Sequence, residues 1–151
     1  MSDVPAITKA SAHDIDIMSR TVYGEARGET WLGKVQVAIV ILNRVKADLW
    51  NDGKPDWWGE GIAEVCLKPH QFTCWTPGDP NLPKLKAVTL DDVDFQECMA
   101  ATLQVILGLA NGVALDWTGT HYLMVGTHAD WAAGKEHDFV IGKHAFYSGI
   151  N

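Results

Sequence analysis

Two glutamates and an arginine sit among glycines in Gly24-Glu-Ala-Arg-Gly-Glu29, at the end of a run with helical apolar spacing. Ile15, Met18, Val22 and Ala26 recur at near i, i+3, i+7 and i+11, so they face a core and leave Asp14, Asp16 and Arg20 off that face. Gly28 supplies a stop, which puts Glu25 in the last turn of the helix. There the unpaired carbonyls and the negative end of the helix dipole disfavour a carboxylate, so Glu25 prefers its proton. A carboxyl still protonated near neutral pH is what a general acid needs to donate to a leaving oxygen. The plainer alternative is an exposed Glu25 beside Arg27. Glu29 would neighbour Glu25 on a continuous helix, but the break at Gly28 separates them. Glu29 is therefore expected as a structural or electrostatic support, ahead of a role as nucleophile.

The elements that must hold these groups follow from periodicity and caps. Residues 1–11 read as a short tail, and Ser11 or Ala12 opens the first helix of a single domain over 12–151. Thr30 caps a second helix from Trp31 to about Lys46, apolar on nearly every side and so central. Asn43 and Arg44 read as solvating its end. From Ala47 to Val88 prolines and most of the tryptophans crowd together, and only Gly61 to Leu67 looks helical. A loop region of that length in a small domain lines a cleft or covers one. Within it, Lys68-Pro-His-Gln-Phe-Thr-Cys-Trp75 combines an amide with aromatic rings. Such rings stack on the flat faces of sugars or bases, or pin the loop to the core, the latter being favoured for Trp57 and Trp58. Thr89 with Asp92 suggests a capping box for a further helix, its inner face Phe95, Met99, Thr102, Ile106 and Leu109 and its stop Asn111-Gly112. His121–Val125 and Phe139–Ile141 read as short strands. Helices first and a little sheet late make an α+β, helix-dominated domain.

Composition narrows the chemistry. Twelve Lys and Arg against nineteen Asp and Glu give a net charge of −7, with no basic block interleaved with aromatics, so nucleic acid is not an expected partner and the ring-lined loop favours sugar. No stretch approaches eighteen apolar residues, so stable membrane insertion is not expected. The opening Met-Ser-Asp-Val-Pro lacks the basic and apolar regions of an export signal, which points to synthesis in the cytoplasm. Cys66, Cys74 and Cys98 form no Cys-x-x-Cys and are expected as reduced thiols, Cys98 as a small core residue. His13, His70, His121, His128, His137 and His144 match no usual ligand spacing, so neither a metal nor another cofactor is expected, and the lack of a Gly-x-Ser-x-Gly argues against a Ser-His-Asp esterase.

Tyr23-Gly-Glu-Ala-Arg-Gly-Glu29, Gly33-Lys-Val-Gln-Val-Ala-Ile-Val-Ile-Leu-Asn-Arg-Val45, Gln71-Phe72, His121-Tyr122 and Ile141-Gly-Lys-His-Ala-Phe-Tyr147 occur in this order. Together they resemble the SleB family of spore-cortex-lytic and phage cell-wall hydrolases, over about residues 13–147. The resemblance implies a lysozyme-like, lytic-transglycosylase-like fold and cleavage of the MurNAc–GlcNAc bond of peptidoglycan. It also implies that Glu25, the first Glu of the motif, is the catalytic acid and base. Spore enzymes of the family carry an export signal and often a wall-binding domain. This chain shows neither, so a phage-type endolysin, acting on the wall after release, fits better.

Residues and resemblance meet on one mechanism. Glu25 protonates the glycosidic oxygen, and positive charge grows on the anomeric carbon as the leaving sugar departs. Gln71 and Tyr122 are expected to position the substrate or the carboxyl, with His121, Phe72 and Trp75 as supporting or substrate-binding neighbours. A lytic transglycosylase leaving a 1,6-anhydro-MurNAc end is favoured over a muramidase with a second carboxylate. A glycan-binding module without turnover is the alternative of another class. The enzyme is expected to work as a monomer on glycan strands.

Overall fold

The computed structural model describes residues 10–47 and 61–150; Trp57, Trp58 and the tail before residue 10 lie outside them. Helix α1 runs Ala12–Ala26 and is opened by a reciprocal capping box, in which Ser11 accepts from the Asp14 amide and Asp14 accepts from the Ser11 amide. Its Met18, Val22 and Ala26 are buried, as their spacing requires. The helix ends before Gly28, and the Glu29 amide closes the turn on the Ala26 carbonyl at 2.9 Å. Helix α2, Trp31–Lys46, is capped by the Thr30 hydroxyl and buries residues on every side, which makes it the spine of the domain. The short helix α3, Ile62–Leu67, packs its Val65 and Cys66 against this pair.

Three readings of the chain are corrected. The proline-rich stretch holds an additional helix, α4, at Asn81–Ala87. Pro83 sits in its first turn, where a missing N–H loses no helical bond, so the proline signals an entry and not a break. Helix α5 spans Val93–Ile106, with Asp92 and not Thr89 as its cap: the Asp92 carboxylate accepts from the Phe95 amide at 3.0 Å, and Thr89 shapes only the preceding turn. It stops at Gly108, which takes the left-handed conformation at φ +74°, so Leu109 lies beyond the helix and is 71% exposed.

The third correction is the sheet. Strands β1 (His121–Met124) and β2 (Phe139–Ile141) are both present, and a third strand joins them that the sequence reading lacks. Between them lies β3, His144–Tyr147, in the order β1-β3-β2 and antiparallel to both. All four residues of β3 are buried, so the strand lacks the alternation that marks a half-exposed one. The helices and this small sheet enclose one apolar core, with Phe95, Phe146, Met18 and Ile41 among its largest members. No described helix is long and apolar enough to cross a membrane.

Candidate active site

A cleft of about 780 Å³ opens between the end of α1, the 71–81 segment and the sheet, and Glu25 lies on its wall. Arg44, Gln71 and Tyr122 line the same cleft; Arg44 and Tyr122 act on the Glu25 carboxyl, and Gln71 accepts from Arg44. Tyr122 on β1 and the Cys74 thiol on the 3-10 turn Thr73–Trp75 both face it as hydrogen-bond donors. Burial is the main influence on its proton: removed from water, the carboxyl is pushed up from 4.5 to about 7. The two donors and Arg44 oppose that rise, while the charge of Asp79 adds to it. Glu25 is thus half protonated near neutrality, able to give a proton and then to take one.

Arg44 was read as solvating the end of α2, and the structure places it elsewhere. Only 7% of it is exposed. Its Nε donates to the Thr120 carbonyl at 2.8 Å, and its Nη1 reaches the Gln71 side-chain oxygen at 3.3 Å. The guanidinium also lies over the Phe72 ring, 4.8 Å from its centre. One cation therefore joins α2, the loop carrying Gln71 and the residue before β1, and it does so beside the acid. Its neighbour Asn43 donates to the carbonyls of Trp117 and Gly119, fixing the approach to β1.

The aromatic residues of the loop support the site from behind. Phe72, 2% exposed, is the floor under Arg44 and offers no face to a sugar. Trp75 donates its indole N–H to the Thr21 hydroxyl at 2.9 Å and packs on the core, tying the turn that carries Cys74 to α1. Of the two roles open to these rings, Phe72 takes the supporting one, and neither ring lines the cleft. Both are apolar enough, and the loop short enough, for the core to claim them first. His121 lies outside the cleft lining, its ring 4.7 Å from that of Trp131 and its Nδ1 2.9 Å from the Thr120 hydroxyl. Burial, then the charge of Arg44, lowers it to about 4, so it is neutral at working pH.

Glu29 also lines the cleft but is bound into the frame. Its backbone carbonyl accepts from the buried Lys34 ammonium at 2.9 Å. Its carboxylate accepts from the Lys143 amide at 2.9 Å and lies 3.3 Å from His144 Nδ1 without making a hydrogen bond to it. Burial lowers the pKa of His144 despite the Glu29 charge, which leaves the imidazole neutral. Gly142, at φ +55°, gives this carboxylate its room: a Cβ there would come within 2.7 Å of Glu29 Oε2. Glu29 thus pins the β2–β3 turn to the start of α2.

Cys74, Lys143 and His144 were not singled out as site residues in the sequence, although the last two stood in its closing motif. Cys66, Cys74 and Cys98 are free, buried thiols. Among the described residues, no three His, Cys, Asp or Glu side chains gather into a metal-holding group.

A family model described as Cell Wall Hydrolase matches residues 28–147. The chain belongs to the cell wall hydrolase family. The spore cortex-lytic enzyme of Halalkalibacterium halodurans is 30% identical over 137 residues, 90% of this chain and 35% of that protein. That of Oceanobacillus iheyensis is 38% identical over 88 residues, 56% of this chain and 29% of its own. The chain thus spans about a third of the length of the curated relatives it matches. Among solved structures, the catalytic domain of the Bacillus cereus SleB protein superposes with a TM-score of 0.65 at 28% identity, covering 91% of each chain. The catalytic domain of the germination-specific lytic transglycosylase SleB from Bacillus anthracis gives the same score and identity over 96% of this chain and all of that one. The cell wall hydrolase fold is the helix-dominated, lysozyme-like α+β one read from the sequence. Glu25 lies just ahead of the span matched by the family model, so its assignment rests on the cleft.

Proposed function

We propose that this cell wall hydrolase is a peptidoglycan glycosidase that cleaves the MurNAc–GlcNAc bond with Glu25 as acid and then base, as a lytic transglycosylase. The observation that carries the reading is a single carboxyl, raised to about 7 by burial, on the wall of a cleft large enough for sugar rings. Protonated Glu25 gives its proton to the glycosidic oxygen. The bond to the anomeric carbon breaks, and the leaving sugar departs as an alcohol. The ionised carboxylate, steadied by Tyr122, then takes the proton of the C6 hydroxyl as that oxygen closes on the anomeric carbon. The product is a 1,6-anhydro-MurNAc end.

What supports ring closure over water attack is the second carboxylate of the cleft. Among the described residues lining it, only Glu29 joins Glu25 in carrying one, and Glu29 is held by the Lys143 amide. Asp116 and Asp130 do not line the cleft. With no second carboxylate free of a backbone amide among the described lining residues, the tethered C6 hydroxyl has the advantage, worth about 7 to 11 kcal/mol when well aligned. The proposal extends to action as a monomer, and to a phage-type lysin made in the cytoplasm that meets the wall after release.

Mass spectrometry of muropeptides released from purified sacculi tests the outcome. Anhydro ends are expected, one water lighter than hydrolysed ones. A digest dominated by reducible MurNAc ends would replace the transglycosylase with a hydrolase while keeping Glu25 as acid. Binding to sacculi without release would sink the enzyme reading.

A further inference from the structure

The turn carrying Cys74 meets α1 at Gly24, the residue before the acid. A Cβ at Gly24 would stand 2.8 Å from the Cys74 Cβ and 2.9 Å from its Sγ, distances that real carbon atoms do not tolerate. The missing side chain is therefore a notch, and the Cys74 side chain fills it. Leu85 of α4 closes the same notch, 2.9 Å from that position. The indole bond from Trp75 to Thr21 locks the turn one residue further on, one helical turn back along α1. Cys74 itself is 1% exposed, so its thiol faces the protein and not solvent.

We infer that Cys74 is a positioning residue for the catalytic acid: seated in the Gly24 notch, its thiol donates to the Glu25 carboxyl and fixes the orientation in which that carboxyl meets substrate. The inference rests on the glycosidase reading of Glu25 but concerns a residue that reading does not need. Burial holds the thiol well above its ordinary range, and the charge of Glu25 raises it further, so Cys74 stays protonated whenever Glu25 titrates. A thiol is a weak donor. It orients the ionised carboxylate without stabilising it as a hydroxyl would, and so leaves the proton near neutrality. The other groups facing the carboxyl are Tyr122 from β1, Arg44 from α2 and Asp79 beyond the turn, with Cys66 of α3 behind Cys74.

The variants Cys74→Ala and Cys74→Ser separate this role from simple packing, since both are smaller than cysteine and neither crowds the notch. Each is titrated by NMR alongside wild type, with glutamate carboxyls labelled with carbon-13 and the Glu25 signal assigned by its absence in Glu25→Gln. Losing the donor in Cys74→Ala should move the Glu25 midpoint up by about half a pH unit or more, and the stronger hydroxyl of Cys74→Ser should move it down. The alkaline limb of sacculus cleavage should follow in the same directions. An unmoved midpoint in both variants, or movement in the same direction in both, overturns the inference. The titration needs no substrate. Failure of the glycosidase reading would instead appear as a wild-type protein that releases no muropeptides.

Discussion

Glu25 and Glu29 stand four residues apart in one motif and live in opposite surroundings. Glu25 is turned into the protein, where loss of water outweighs two donors and an arginine and raises its pKa to about 7. Glu29, its side chain 11% exposed, meets a backbone amide made for an anion and the neutral ring of His144. What separates them is the break after Ala26. It sends one carboxyl along α1 toward the cleft and the other across to the β2–β3 turn. The same residue type serves as a reagent where it lacks compensation and as a bracket where it is compensated.

Substitution should expose that contrast, beginning with Glu25→Gln. Gln keeps the shape and carries no acidic proton, so release of muropeptides from sacculi should fall by about a hundredfold or more. The same variant should gain stability. Because the folded-state pKa lies above the ordinary 4.5, this group's share of stability is whole below that value and is lost as pH rises through about 7. Removing the charge recovers on the order of 2 kcal/mol above pH 8, allowing for screening at the open side of the cleft. Urea unfolding at pH 4 and pH 8.5 checks this: the variant should exceed wild type clearly at the higher pH and come close to it at the lower.

Tyr122→Phe comes next. It removes one of two donors to the carboxyl and should cost about tenfold in turnover, with the alkaline limb moving up. Glu29→Gln should do least to catalysis. It keeps an acceptor for the Lys143 amide and loses the charge, so turnover should stay within about threefold while stability falls by about 1 kcal/mol. Equal loss of turnover from Glu25→Gln and Glu29→Gln would erase the contrast and favour a two-carboxylate hydrolase.

Much of this arrangement is legible in the residues. The spacing of Met18, Val22 and Ala26 places Glu25 at a helix end, and both the first helix and α2 follow from their caps. Arg44 was missed because a charge near a helix C-terminus ordinarily serves the dipole. The signal lay in the stripe Val37, Ile41, Arg44, whose helical spacing puts the arginine on a buried face. Phe72 and Trp75 left two roles open. Aromatics on a loop look available for ligand until the core is seen to need them. Strand β3 and helix α4 escaped for local reasons, one buried on both faces and the other entered through a proline. Cys74 is illegible in isolation, because its role depends on the absent side chain of Gly24, fifty residues earlier.

The central claim is that Glu25 works as a protonated carboxyl, and the pH dependence of muropeptide release from sacculi tests it most directly. Protonated Glu25 disappears as pH rises past about 7. The rate should hold on the acid side of that value and fall about tenfold for each pH unit above it. A rate that is flat from pH 6 to 9, or that climbs across that range, would contradict the account.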